Sequence, residues 1–213
     1  MQLTDFSLYL ITDRHQTGGR PLTEVVREAL EGGIRAVQLR EKDLPAVALY
    51  RLAVELRRLT ADFNARLIIN DRPDVALAVE ADGVHIGVNS LPVAVVRQIL
   101  GGGKIIGYSA HAVEEAANAH AEGADFATFG PVFPTASKAA YGVPCGVKKL
   151  ADAVSALPMP VYALGGISRE NIAETLSANV RGIAVISAIL SAADPRSAAA
   201  SLLKKIEEYA RHS

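Results

Sequence analysis

Ala36-Val37-Gln38-Leu39-Arg40-Glu41-Lys42 begins as an apolar run and ends abruptly in an amide, a guanidinium, a carboxylate and an ammonium. Read as a strand over Ala36 to Arg40, the stretch alternates: Val37 and Leu39 face one side, Gln38 and Arg40 the other. Arg40 and Lys42 then stand at or just past the strand's carboxyl end, two cations of like charge at period-2 spacing. Such neighbours repel unless an anion sits between them, and Arg suits bidentate phosphate contacts. The alternative is a surface turn in which Glu41 pairs locally.

Working outward, the same grammar repeats along the chain. Short apolar runs lie at Ser7 to Thr12, Arg66 to Asn70, Gly83 to Gly87, Lys104 to Ser109, Phe126 to Gly130, Val161 to Leu164 and Gly182 to Ile186. Between them lie segments with helical spacing. Leu22, Val25, Val26, Ala29 and Leu30 precede the Gly32-Gly33 stop, and Leu49, Leu52, Ala53, Leu56 and Leu59 recur within Ala46 to Leu59. Further helices are expected over Val75 to Val79, from Ser90-Leu91-Pro92 through Leu100, over Val113 to Ala121, over Val147 to Ser155, after a Ser168 cap to Ser177, and over Ser197 to Ala210. Eight strand–helix units whose strands are continuous apolar runs predict a parallel sheet covered by helices. Eight units predict closure into a single-domain α/β (β/α)8 TIM barrel over residues 1–213. The runner-up is an open doubly wound sheet, weakened because no G-x-G-x-x-G follows the first strand.

Composition narrows the function. A chain of 213 residues suits one barrel domain, and 50% hydrophobic residues supply its core. A net charge of −1, no basic run and no Trp exclude an electrostatic nucleic-acid binder with stacking platforms. One cysteine, Cys145, excludes an internal disulfide framework and a multi-cysteine metal site. No apolar run reaches membrane-spanning length and the first residues lack a signal pattern, so a cytoplasmic location without membrane partners is expected.

A barrel places its active site on the loops after the strands. The second strand ends in Arg40, Glu41 and Lys42, the third in Asn70 and Asp71, the fourth near Asn89 and Ser90, the fifth in Ser109. The sixth leads to Thr135, Ser137 and Lys138, the seventh ends in Gly165-Gly166, the eighth in Ile186-Ser187. This rim is cationic and hydroxylic with one clear acid. It suits a substrate carrying several phosphates, with Asp71 available to Mg2+. Each piece also has a plainer reading: Asp71 or Ser90 as a helix cap, Ser109 as a turn residue, Gly165-Gly166 as a tight turn, His85 as a core histidine. His111 stays open.

Gln38-Leu39-Arg40-Glu41-Lys42, Ile69-Asn70-Asp71-Arg72, Gly83-Val84-His85-Ile86-Gly87, Gly130-Pro131-Val132-Phe133-Pro134-Thr135, Gly165-Gly166-Ile167 and Val185-Ile186-Ser187-Ala188-Ile189 resemble, in order, motifs of the thiamine phosphate synthase/TenI superfamily. The resemblance spans nearly the whole chain. It implies an Mg2+-dependent transferase of thiamine biosynthesis that joins an aminopyrimidine pyrophosphate to a thiazole phosphate and releases pyrophosphate. Carried over by position, Gln38, Arg40, Lys42, Asn70, Ser109 and Lys138 bind the pyrimidine pyrophosphate, with Arg40, Lys42, Ser109 and Lys138 acting in catalysis; Leu39 and Glu41 also count among the substrate-binding residues. Thr135, Ala136, Ser137, Gly166, Ile186 and Ser187 bind the thiazole phosphate, and Asp71 holds Mg2+. The resemblance implies a homodimer only at family level. One departure stands out: Gly87-Val88-Asn89-Ser90-Leu91-Pro92 carries Ser90 where the family has an Asp as second metal ligand, so weaker metal affinity is expected. The TenI-type thiazole tautomerase is the alternative, but its acid/base histidine after the sixth strand's glycine is replaced here by Pro131, and it tends to lose the Asn-Asp pair kept as Asn70-Asp71. A non-catalytic thiazole-phosphate-binding regulator is the third reading.

Overall fold

The computed structural model describes residues 4–135 and 144–212. Eight parallel strands close in sequence order: β1 Leu8–Ile11, β2 Ala36–Leu39, β3 Arg66–Asn70, β4 Gly83–Gly87, β5 Ile105–Ala110, β6 Phe126–Phe129, β7 Val161–Leu164 and β8 Gly182–Val185. Pairing of β1 with β8, Tyr9 opposite Ala184, closes the barrel. The helices between them are α1 Leu22–Glu31, α2 Ala46–Asp62, α3 Pro73–Ala78, α4 Val93–Leu100, α5 Val113–Ala121, α6 Gly146–Ala156 and α7 Ile172–Leu176, then α8 Ser187–Leu190 and α9 Pro195–His212. Among the described residues no helix is long and apolar enough to cross a membrane.

Alternation sorts the strands into two buried layers. Val37, Leu39, Leu67, Ile69, Val84 and Ile86 face outward beneath the helices. Tyr9, Ile11, Ala36, Ile68, Ile105, Phe126, Tyr162 and Ala184 face inward with Phe6. Two apolar faces explain why the strands read as unbroken apolar runs. Inside, aromatic rings fill the lower barrel: Phe126 meets Phe6 edge-on at 5.8 Å and Tyr162 at 5.3 Å between centroids. The Tyr162 hydroxyl donates to the Phe6 carbonyl at 2.8 Å. Such a packed interior gives the mouth above it a solid floor.

Local chemistry moves several boundaries. α3 begins at Pro73, two residues before the expected start, because proline's fixed φ suits the first helical turn. α9 begins at Pro195, two residues before the expected start at Ser197, because Asp194 accepts from the Ser197 amide at 2.9 Å in a capping arrangement. Ser168 does not cap α7. Its hydroxyl accepts from the Glu170 amide at 3.3 Å, Asn171 Oδ1 accepts from the Ser168 amide at 2.8 Å, and this turn delays the helix to Ile172. α8 was not expected at all.

Candidate active site

The strand ends assemble from β2 outward. Gln38 points into the barrel, buried, and its Nε2 donates to the Tyr9 hydroxyl at 3.0 Å. Burial raises the Tyr9 pKa although that hydrogen bond lowers it in part, so the phenol stays protonated. Arg40 is half-buried, its backbone amide bonded to Thr12 Oγ1 at 2.9 Å. Lys42 is exposed, with Nζ 3.9 Å from Asp71 Oδ2 across the β2–β3 gap. Two cations thus stand at the mouth beside one carboxylate.

The side chains of Leu39 and Glu41, both expected among the substrate-binding residues, point away from the Gln38 side of the strand. Leu39 is fully buried in the outer layer. The Glu41 carboxylate turns back toward the segment after β1. It accepts from Thr12 Oγ1 at 2.7 Å, from the Arg14 amide at 3.1 and 3.2 Å, and from Arg14 Nη1 at 3.1 Å. Arg14 in turn grips Asp43 at 2.5 and 2.6 Å, and His15 Nε2 lies 3.1 Å from the same carboxylate. The Glu41 carboxylate therefore does not pair locally; it ties the loops after β1 and β2 together.

After β3 the chain turns sharply at Asp71, whose φ of 60° lies in the left-handed region that Asp tolerates better than most residues. The turn brings both carboxylate oxygens against neighbours. Ser90 Oγ donates to Oδ1 in a close contact, and Asn70 Nδ2 donates to Oδ2 at 2.8 Å. Ser90 Oγ also accepts from the Gly87 amide at 2.8 Å. Neither Asp71 nor Ser90 caps a helix: α3 and α4 start after Arg72 and Pro92 without side-chain caps. Asp71 and Ser90 are thus adjacent at the mouth as the sequence required for a shared ligand, but they offer one carboxylate rather than two. Among the described residues no cluster of three His, Cys, Asp or Glu side chains forms a metal cage. A single carboxylate still matches the way Mg2+ is held when phosphate oxygens and water complete its shell.

On β5, Ser109 is half-buried at the mouth, bonded to His85 Nε2 at 3.0 Å and 3.3 Å from Thr128 Oγ1. His85 is a core histidine as expected: 2% exposed, with its pKa pushed down to about 3 by burial and by the charge of Arg40. His111 Nδ1 lies 2.6 Å from the Gly130 carbonyl, so it carries the proton there. Thr135 Oγ1 is buried without a partner among the described residues. Ala136, Ser137 and Lys138 lie outside the described residues.

The β7 and β8 ends form a second focus. Gly166 has φ +67°, and a Cβ there would stand 2.7 Å from Phe133 Cβ and 2.8 Å from the Pro134 carbonyl, so the turn must be glycine. On the adjacent strand Ile186 leads into α8, which starts at exposed Ser187. A glycine turn after the seventh strand beside a short extra helix after the eighth is where barrels of this architecture hold a phosphate. Sequence reasoning missed Thr12, Arg14, Thr128 and α8. Only Thr12 carried a signal, as a hydroxyl closing the first strand.

Fold and rim together define a (β/α)8 barrel whose mouth carries Arg40, Lys42, Asp71 and Ser109 on one side and the Gly166 turn and Ser187 on the other. Comparison with known proteins makes this specific. The chain belongs to the thiamine monophosphate synthase family, whose model matches residues 8–189. It is 59% identical over 203 residues to a putative thiamine-phosphate synthase of Geobacter sulfurreducens, covering 95% of each chain. It is 45% identical over 199 residues to the thiamine-phosphate synthase of Desulfitobacterium hafniense, covering 93% of this chain and 96% of that one. Among solved structures, the thiamine phosphate pyrophosphorylase from Pyrococcus furiosus superposes with a TM-score of 0.89 at 42% identity, over 97% of this chain and 98% of that one.

Proposed function

We propose that this protein joins an aminopyrimidine pyrophosphate to a thiazole phosphate, giving thiamine phosphate and pyrophosphate. The observation that carries the reading is the pair of anion-receptive regions on one rim. Arg40, Lys42 and Ser109 stand on the β2 to β5 side. The Gly166 turn and Ser187 stand on the β7–β8 side. Two substrates, each with a phosphate, can be held there with their reacting rings between.

The chemistry follows from what the rim supplies and what it lacks. Its charges suit departure of pyrophosphate: Arg40 and Lys42 neutralise the leaving group and Ser109 donates a hydrogen bond to it. A pyrimidine cation results, which the thiazole nitrogen attacks; the new carbon–nitrogen bond replaces the broken carbon–oxygen bond, and no proton needs removing. Lys138, carried by the family resemblance, adds a further charge to the pyrophosphate. Gln38, locked by Tyr9, offers its amide to the pyrimidine ring. Asp71 would hold Mg2+, which would supply further charge neutralisation to the leaving pyrophosphate. Alignment of the two substrates in a water-poor mouth provides the rest. The reaction belongs in the cytoplasm, and the protein is proposed to work as a homodimer.

Purified protein given pyrimidine pyrophosphate, thiazole phosphate and Mg2+ is expected to release pyrophosphate only when both substrates are present. Lys138→Ala is expected to abolish release. No release across a wide Mg2+ range would overturn the reading, and isomerisation of the thiazole phosphate would then be assayed.

A further inference from the structure

The His85 imidazole is the one ionisable side chain inside the barrel, among the described residues, whose ring keeps an unpartnered nitrogen. Its Nδ1 is buried without a hydrogen bond. Nδ1 faces Gly107, which lies opposite His85 in the β4–β5 register; a Cβ at Gly107 would collide with Nδ1 and with the Phe126 ring. The other nitrogen, Nε2, meets Ser109 Oγ at 3.0 Å and Thr128 Oγ1 at 3.3 Å. So one ring nitrogen has no hydrogen-bond partner and the other meets two hydroxyls.

This asymmetry fixes the proton. Burial and the Arg40 charge keep the ring neutral, so it carries one hydrogen. A hydrogen on Nδ1 would be an orphaned buried donor, the rarer and costlier defect; a bare lone pair there is better tolerated. The hydrogen therefore sits on Nε2 and is donated to Ser109 Oγ. A hydroxyl oxygen that accepts from an imidazole still has one hydrogen of its own to give. Thr128 Oγ1, at 3.3 Å from Ser109, can likewise donate inward. With Thr128 Oγ1 as the donor of that pair, the remaining direction for the Ser109 hydrogen is the mouth.

The geometry points to His85 as a positioning residue: its Nε2–H fills the inner side of Ser109, making the serine a committed hydrogen-bond donor to the pyrophosphate group. The inference deepens the proposed function and rests on it, because it takes pyrophosphate to be the group bound at Ser109. His85 itself touches no substrate. A hydroxyl free to rotate offers an anion either its hydrogen or its lone pairs; one whose two lone pairs are taken by His85 and Thr128 offers only the hydrogen, and does so before the ligand arrives.

Three measurements on the full-length protein test this. First, nitrogen NMR of the wild-type imidazole is expected to show a protonated Nε2 and a bare Nδ1; the reverse tautomer would overturn the inference even if every variant misfolds. Second, calorimetric binding of inorganic pyrophosphate is expected to weaken about tenfold in His85→Leu, which loses the donor, and to be largely retained in His85→Gln, whose amide can replace it. Affinity for thiazole phosphate is expected to stay within twofold in both. Third, His85→Leu is expected to add nothing in a Ser109→Ala background, since the histidine acts through the serine. Equal losses in the two backgrounds, or equal losses for both ligands, would show a merely structural role. Failure of the wild-type protein to bind pyrophosphate at all would instead sink the proposed function, which separates the two failures.

Discussion

Removal of the Glu41 carboxylate is the perturbation whose cost the structure specifies best. Its side chain is 1% exposed, and it gathers the Thr12 hydroxyl, the Arg14 amide and the Arg14 guanidinium. Glu41→Ala leaves the hydroxyl and the amide without an acceptor in a buried place, each costing about 1–3 kcal/mol when no substitute is found. The guanidinium is different. It is 30% exposed and keeps Asp43, which is the main reason its pKa is raised, so the full penalty of about 3–5 kcal/mol for a stranded buried charge does not apply. Water entering beside Arg14 also relieves part of the amide's loss. The expected destabilisation is about 2–4 kcal/mol for Glu41→Ala. Glu41→Gln, which keeps one acceptor oxygen but turns a donor toward other donors, should lose about half of that. Urea unfolding at neutral pH reads this directly as a fall in midpoint with an unchanged slope. The same change frees the segment that carries Arg40 and Lys42, so KM for the pyrimidine pyrophosphate should rise about tenfold more than KM for the thiazole phosphate. A Glu41→Ala protein within about 0.5 kcal/mol of wild type, the range of ordinary surface substitutions, would refute the clamp.

Three further outcomes follow from other parts of the rim and the barrel. Ser90→Asp places a second carboxylate beside Asp71. The attraction of about 4 kcal/mol between unit charges 4 Å apart at a surface site is cut by solvent here, since the Asp71 side chain is 37% exposed; about tenfold tighter Mg2+ binding in the presence of pyrophosphate is expected, and unchanged half-saturation by titration would count against Asp71 as the metal residue. Gly166→Ala forces a side chain into the left-handed region against Phe133 and Pro134; thiazole phosphate affinity should drop more than tenfold while pyrophosphate affinity holds, and calorimetry showing no such split would remove the β7 turn from the site. Asp82 carries a pH prediction. Burial raises its pKa, but the Leu67 amide, Arg57 and Arg66 outweigh this and leave it lowered. A depressed folded pKa means the stabilisation is complete above the unfolded value of about 3.9 and is lost as pH falls through the folded value. Asp82→Asn should thus be less stable than wild type at neutral pH, with the gap closing in acid; a gap that persists undiminished at low pH would show that charge is not the cause.

The barrel was legible because each of its units carries its own signal: an apolar run buried on both faces, then a helical stripe. The rim was legible because the barrel rule converts strand ends into a site: Asn70, Asp71 and Ser90 do meet at the β3 and β4 ends, and Ser109 stands at the end of β5. What stayed hidden was set by partners distant in sequence. Glu41 finds Thr12 and Arg14 at separations of 29 and 27 residues, and His85 finds Ser109 24 residues on; no local spacing encodes those meetings. The four-residue helix α8 is too short to show a period.

The side-chain directions of Leu39 and Glu41 are a different matter, because their signal is present in the sequence. Period-2 alternation puts Val37, Leu39 and Glu41 on one side and Gln38, Arg40 and Lys42 on the other. The structure follows that parity beyond the strand's end: Leu39 is in the outer layer, Glu41 turns back to the β1 loop, and Gln38 faces inward while Lys42 reaches Asp71. Family resemblance transfers a contiguous block, whereas a strand presents every second residue of it. Alternation sets where each side chain of that block points, and it places the Glu41 carboxylate among the groups that hold the loops together.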